Sequence, residues 1–150
     1  MTMDSQQSLT INGNVFSFEP GETILDVATR HDISIPTLCY LKNALPAGAC
    51  RICAVEVKGA QSLMPSCETL AVSNMEVQTE SSRVVEARRM ILQLLLSSGN
   101  HNCSVYGGGS KDWTPFQLSV QKDDGSADLC PVWGDCRLQD LAYRYQVTGS

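Results

Sequence analysis

CYLKNALPAGACRIC (residues 39–53) places three of the chain's seven cysteines in one short stretch. Ten residues separate Cys39 from Cys50, and two separate Cys50 from Cys53. The stretch has neither the alternation of a strand nor the periodicity of a helix. Gly48 lies between Ala47 and Ala49, and residues this small let backbone come close to a buried object. It reads as a loop wrapped around something. Thirteen residues further on, SLMPSCE (62–68) supplies a fourth cysteine, Cys67. Four thiolates are the ligand set of a [2Fe–2S] cluster or of a structural zinc. Zinc sites commonly pair two Cys-x-x-Cys knuckles, and only one is present here. A disulfide pair and four inert buried thiols are the remaining readings. An odd cysteine total fits poorly with a closed set of disulfides.

On either side, the sequence predicts a small mixed sheet. SLTINGNVFSFEP (8–20) has the form of a hairpin, with alternating Leu9 and Ile11, an Asn12-Gly13 turn, and Val15, Phe16 and Phe18 beyond it. GETILDVATRHD (21–32) reads as a helix. Thr23 with Asp26 resembles a capping box, and Ile24, Leu25, Val27 and Ala28 form the apolar face. His31 is expected to face solvent at its end. Pro36 ends any helical reading before Cys39. CAVEVKG (53–59) and MEVQTE (75–80) are candidate strands. Strands, a helix and a cysteine loop in this order suggest an α+β fold of grasp type.

The bulk composition narrows the partners. The formal charge is −5, which argues against nucleic acid, since phosphate binding needs a basic face. The longest apolar run, MILQLLL (90–96), is too short to span a bilayer and contains Gln93. No direct membrane insertion is expected. MTMDSQQS at the N-terminus is polar and does not read as a signal or transit peptide, so a cytoplasmic location is the expectation. In that compartment cysteines serve metals or redox chemistry more often than disulfides.

The second half changes character. SSRVVEARRMILQLLLSSG (81–99) predicts a long helix, with Val84, Ala87, Ile91, Leu94 and Leu95 on its apolar face. Arg83, Glu86, Arg88 and Arg89 are expected mostly on other faces. Ser81 or Ser82 can cap its start. GNHNCSVYGGG (99–109) then offers His101 and Cys103, and the position where a further ligand would follow is Tyr106. Residues 104–129 are polar and rich in Gly, Asp and Ser. A loop that long is uncommon in a compact domain. Trp113, Phe116 and Trp133 read either as partner-facing aromatics or as local packing. CRLQDLAYRYQV (136–147) returns to a helical pattern.

The run ETILDVATRHDISIPTLCY…AGACRICAVEV…MPSCET resembles the N-terminal [2Fe–2S] domain of the large iron–sulfur subunit of respiratory complex I. The same domain opens iron-only hydrogenases, NAD-linked formate dehydrogenases and the small diaphorase subunit of NAD-linked hydrogenases. In that family a [4Fe–4S] site built from one histidine and three cysteines comes next, and GDCRLQDLAYRYQV (134–147) resembles the segment that closes it. The resemblance covers roughly residues 8–103 and 130–147. It implies a β-grasp [2Fe–2S] ferredoxin-like domain over 1–80, with Cys39, Cys50, Cys53 and Cys67 as cluster ligands. It also implies a small helical [4Fe–4S] domain over 81–150, held by His101, Cys103, Cys130 and Cys136, with an inserted loop at 104–129. Cys103 and Cys130 are separated by 26 residues, where the family has two. Closure entropy grows only logarithmically with loop length, each doubling costing about 0.6 kcal/mol, so the insertion is tolerable. His101 precedes Cys103 by two positions, the diaphorase-like spacing. The alternative for His101 is a surface histidine, which would leave three cysteines for a three-iron cluster or an outside ligand.

The resemblance implies an electron-transfer subunit of a multi-subunit NAD(P)-linked flavoprotein oxidoreductase. The candidates are a hydrogenase, a formate dehydrogenase and an electron-bifurcating transhydrogenase. The chain has no GxGxxG after a strand and no P-loop, so flavin- and NAD(P)-binding subunits are the expected partners. No active site of its own is expected. A free-standing two-cluster ferredoxin and a zinc-binding structural or sensor protein are the alternatives.

Overall fold

Asn12 and Gly13 both take positive φ, 51° and 86°, which is what the type I′ hairpin turn demands. They join β1 (Ser8–Ile11) to β2 (Asn14–Ser17), pairing Ile11 with Asn14 and Leu9 with Phe16. The computed structural model describes residues 7–41, 46–97 and 137–147. His101, Cys103, Cys130, Cys136 and the 104–129 insertion lie outside the described residues. The chain divides into two compact units, Met1–Ile91 and Leu92–Ser150.

The first unit is a mixed sheet of five strands in the order β2-β1-β5-β3-β4. Here β3 is Ala54–Val57, β4 is Met64–Pro65 and β5 is Glu76–Gln78. β5 runs parallel to β1 and antiparallel to β3. Asn12 reinforces the parallel pair by exchanging hydrogen bonds with Thr79 at 2.8 and 2.9 Å. Leu9, Ile11, Val55 and Val77 point into one core with Ile24, Leu25, Val27 and Ala28 of α1 (Ile24–Arg30). Cys53 and Cys67 belong to that same cluster. This is the α+β, grasp-type arrangement that the strand and helix signals predict.

Helix α1 begins where the capping box places it. Thr23 Oγ1 accepts from Asp26 N–H at 3.1 Å, and Asp26 Oδ2 accepts from Thr23 N–H at 3.0 Å. The next donors are taken by the cysteine-bearing loop: Ile24 N–H donates to Thr69 C=O at 2.9 Å and Leu25 N–H to Ser66 C=O at 3.0 Å. The start of α1 therefore helps to hold the Cys67 loop in place. Thr23→Ala is expected to destabilise the fold by about 1 kcal/mol, read as a lower denaturant midpoint. His31 corrects the sequence reading. It is the C-cap of α1, and its ring lies 4.6 Å from that of Phe16, with Nε2 buried. The hairpin covers it.

Helix α2 (Ser82–Ser97) is capped by Ser81, whose Oγ accepts from Val84 N–H at 3.4 Å. Its fully buried positions are Val84, Arg88 and Leu92, whereas Leu94 is 65 % exposed. Of the expected face, Val84 is buried and Ala87, Ile91 and Leu95 are half-buried, so Leu94 is the residue that departs from it. The fully buried seam runs through i, i+4 and i+8, with an arginine at the centre. In the second unit, α3 (Arg137–Arg144) buries Leu141, Ala142 and the following Tyr145. It ends with Gln146 at φ 53°, and Val147 N–H returns to Ala142 C=O at 2.8 Å. That is the Schellman stop.

Candidate iron–sulfur site

Two turns bring four cysteines together. The first follows Gly48, at φ 55°, and Arg51, at φ 59°. Left-handed conformations this close together turn successive backbone N–H groups inward, making a concave anion cradle. The Cys39 thiol is the group it receives. It is held below its ordinary value, first by the Cys50 N–H and further by the Cys50 side chain and Ala49 N–H, with burial working against them. Gly48 is needed for its φ. A Cβ there would also meet the Glu68 carboxylate, which lies over it.

The second turn leaves β4. Ser66 N–H donates to Cys53 C=O at 3.2 Å, so the residues before Cys67 are tied to the Cys-x-x-Cys loop. Cys53 Sγ and Cys67 Sγ stand 3.4 Å apart, and all four cysteines are free thiols. Cys53 and Cys67 are 3 % and 1 % exposed, while Cys39 and Cys50 are half-buried. The site has a sealed end and an open end. Burial pushes the Cys67 thiol up to about 12, with Cys53, Glu68 and Cys39 adding to the shift.

The donors stand as two pairs, Cys39 with Cys50 and Cys53 with Cys67. Among the described residues no three His, Cys, Asp or Glu side chains close on a single point as one metal ion requires. A [2Fe–2S] cluster asks for something else, two thiolates at each of two irons. The paired set fits that demand. Ser66, beside Cys67 in the chain, is fully buried, and its Oγ has no hydrogen-bond partner among the described residues. A buried hydroxyl left unpaired is costly, and an acceptor such as a cluster sulfur would satisfy it. His101, Cys103, Cys130 and Cys136 lie outside the described residues.

Arg88 also departs from the face on which the sequence predicts it. It is 0 % exposed. Nε donates to Ile52 C=O at 3.0 Å and Nη2 to Ala54 C=O at 2.9 Å, while Nη1 meets Glu80 at 2.8 Å. One side chain thus grips the peptide on both sides of Cys53. The signal in the sequence was its helical spacing from Val84 and Leu92.

The thiol asymmetry has a chemical consequence. In the metal-free chain at about pH 8, iodoacetamide is expected to alkylate Cys39 well before Cys67. Site-resolved mass spectrometry reads the order, and equal rates would contradict the geometry. The folded chain also holds the Cys67 proton more tightly than the unfolded chain does. Metal-free protein should therefore lose stability as pH climbs from about 9 toward about 12.

Known proteins place these residues in context. A family model described as a 2Fe-2S iron-sulfur cluster binding domain matches residues 5–82, more than half of the chain. The NADP-reducing hydrogenase subunit HndD of Solidesulfovibrio fructosivorans is 40 % identical over 97 % of this chain, which covers 22 % of that protein. The alpha subunit of the NADPH-Fe(3+) oxidoreductase of Geobacter sulfurreducens is 39 % identical over 91 % of this chain, which covers 13 % of it. A crystal structure of an NAD+-reducing [NiFe]-hydrogenase in the H2-reduced state superposes with a TM-score of 0.72 at 30 % identity, over 97 % of this chain and 51 % of that one. The chain therefore spans only a fraction of these curated relatives' length, and about half of the hydrogenase chain. With its paired thiols lying inside the matched segment, this chain belongs to the family of 2Fe-2S iron-sulfur cluster binding domains.

Proposed function

We propose that the chain is the electron-relaying part of a multi-subunit NAD(P)-linked flavoprotein oxidoreductase of hydrogenase, formate dehydrogenase or electron-bifurcating transhydrogenase type. The observation that carries this reading is the pairing of Cys39 with Cys50 and of Cys53 with Cys67 on one loop system. Those four residues are assigned as ligands of a [2Fe–2S] cluster within a domain over 1–80. When bound, the cluster accepts and returns one electron at a time. The chain's own residues do the rest. The N–H groups of Ala49 and Cys50 favour the Cys39 thiolate. The α1 start and Ser66 fix Cys67, and Arg88 fixes Cys53.

A second site, in the domain over 81–150, is assigned to His101, Cys103, Cys130 and Cys136 as [4Fe–4S] ligands. Its support is the match of GDCRLQDLAYRYQV to the family and the helix observed at Arg137–Arg144. The relatives are named as subunits of an NADP-reducing hydrogenase and an NADPH-Fe(3+) oxidoreductase. Nicotinamides deliver hydride, and a flavin divides it into single electrons. The flavin and nicotinamide sites are assigned to partner subunits in the cytoplasm. Among the described residues no helix is long and apolar enough to cross a membrane.

Anaerobic purification of the chain with its natural partners tests this. Brown protein with about six irons per chain, acid-labile sulfide and two paramagnetic signals after dithionite supports the assignment. A co-eluting flavoprotein supports the subunit reading. A chain that elutes alone with both clusters would be a free ferredoxin, and colourless protein containing zinc would overturn the relay altogether.

A further inference from the structure

Arg88 heads the fully buried side chains of the described residues in size, and it carries a permanent charge. Burying a guanidinium is costly unless its N–H groups are paired. Here they are paired. Two of its three nitrogens serve carbonyls, those of Ile52 and Ala54, which carry dipoles and no net charge. The third meets Glu80, whose side chain is 43 % exposed and so screened by water. A clamp on two carbonyls needs no ion. The fold has nonetheless kept a buried positive charge against the backbone on either side of Cys53.

We infer that Arg88 is a positioning residue that also sets the reduction potential of the [2Fe–2S] centre, raising it by placing a buried positive charge beside the Cys53 loop, while Glu80 partly offsets that charge. This rests on the assignment of Cys39, Cys50, Cys53 and Cys67 as ligands. The redox step is the addition of one electron, given up by a partner's reduced flavin, to a cluster whose thiolates take up no proton. The reduced unit is one charge more negative than the oxidised one. A nearby cation therefore stabilises the reduced form more, most effectively where water is excluded. Removing the cation lowers the potential, and removing the carboxylate raises it.

The test is a dithionite titration of the full chain in its complex, followed by the [2Fe–2S] paramagnetic signal, for wild type, Arg88→Met, Arg88→Lys and Glu80→Gln. Arg88→Met is expected to shift the one-electron equilibrium about tenfold toward oxidation, which is about 59 mV downward. Glu80→Gln shifts it upward by a smaller factor, because its charge is already screened. Arg88→Lys keeps the charge but not the fork, so it titrates near wild type while losing iron faster to a chelator. Opposite signs from Arg88→Met and Glu80→Gln are the outcome that a purely structural clamp does not produce. If Arg88→Met fails to load a cluster, the sign of Glu80→Gln decides. A Glu80→Gln potential equal to wild type, or shifted downward, overturns the inference. A wild-type chain with no [2Fe–2S] signal would instead overturn the ligand assignment beneath it.

Discussion

Cys67→Ala is expected to remove the [2Fe–2S] paramagnetic signal and to lower the iron content from about six to about four per chain. Cys67 is the least replaceable of the four thiols. It sits at the sealed end, 1 % exposed, 3.4 Å from Cys53. Water does not reach that end to stand in as a ligand. At the open end, Cys39 is half-buried, so an outside thiol or water can approach. Cys39→Ala is accordingly expected to be the milder change. Iron analysis and the dithionite-reduced spectrum check both variants. A Cys67→Ala chain with its full iron content and an unaltered signal would show that Cys67 is not a ligand. The metal-free fold should survive, because the substitution removes a small side chain and leaves the tie from Ser66 N–H to Cys53 C=O in place.

Much of this site was legible in the residues. Asn12-Gly13 could form only a tight turn, because both positions require φ above zero. Thr23 and Asp26 stand at capping-box spacing, and the box is formed. Both signals are local, and local chemistry survives tertiary packing. Gly48 announced a close approach, and the loop does turn there, at φ 55°. What was not legible came from packing between distant segments. The apolar count along 81–99 put Leu94 on the inner face, yet it is 65 % exposed. An arginine in the seam carries the wrong label in any apolar tally. Its role depends on two carbonyls more than thirty residues earlier in the chain, and no periodicity reports those. His31 was misread for a similar reason, since Phe16 of the distant hairpin packs on its ring.

The two ends of the cysteine site have different physical duties. The sealed end joins the hydrophobic core, through Cys53 and Cys67 among Val55, Val77 and Leu25. Burial makes the Cys67 thiol hold its proton more tightly than an exposed thiol does. Loading metal must displace that proton, so cluster binding is coupled to pH and to folding. The open end is half-buried, and there the Cys50 N–H, helped by the Ala49 N–H, holds the Cys39 thiol below its ordinary value.

The largest effect on the protein's own stability is expected from Arg88→Met. Methionine fills much of the buried volume but offers no donors. Ile52 and Ala54 are buried, so their carbonyls would lose the acceptor contacts now at 3.0 and 2.9 Å. An unsatisfied buried carbonyl costs about 1–3 kcal/mol. Two of them outweigh the relief of no longer burying a charge, and Glu80 is exposed enough to rejoin water. The net loss should be about 2–4 kcal/mol, read as a lower denaturant midpoint with an unchanged slope. Lysine reaches at most one of the two carbonyls and should fall between. A slope that changes with the midpoint would mean that the loop opens separately from the sheet. In that event Arg88 closes only the cluster loop, and the loss would appear as faster iron release rather than global unfolding.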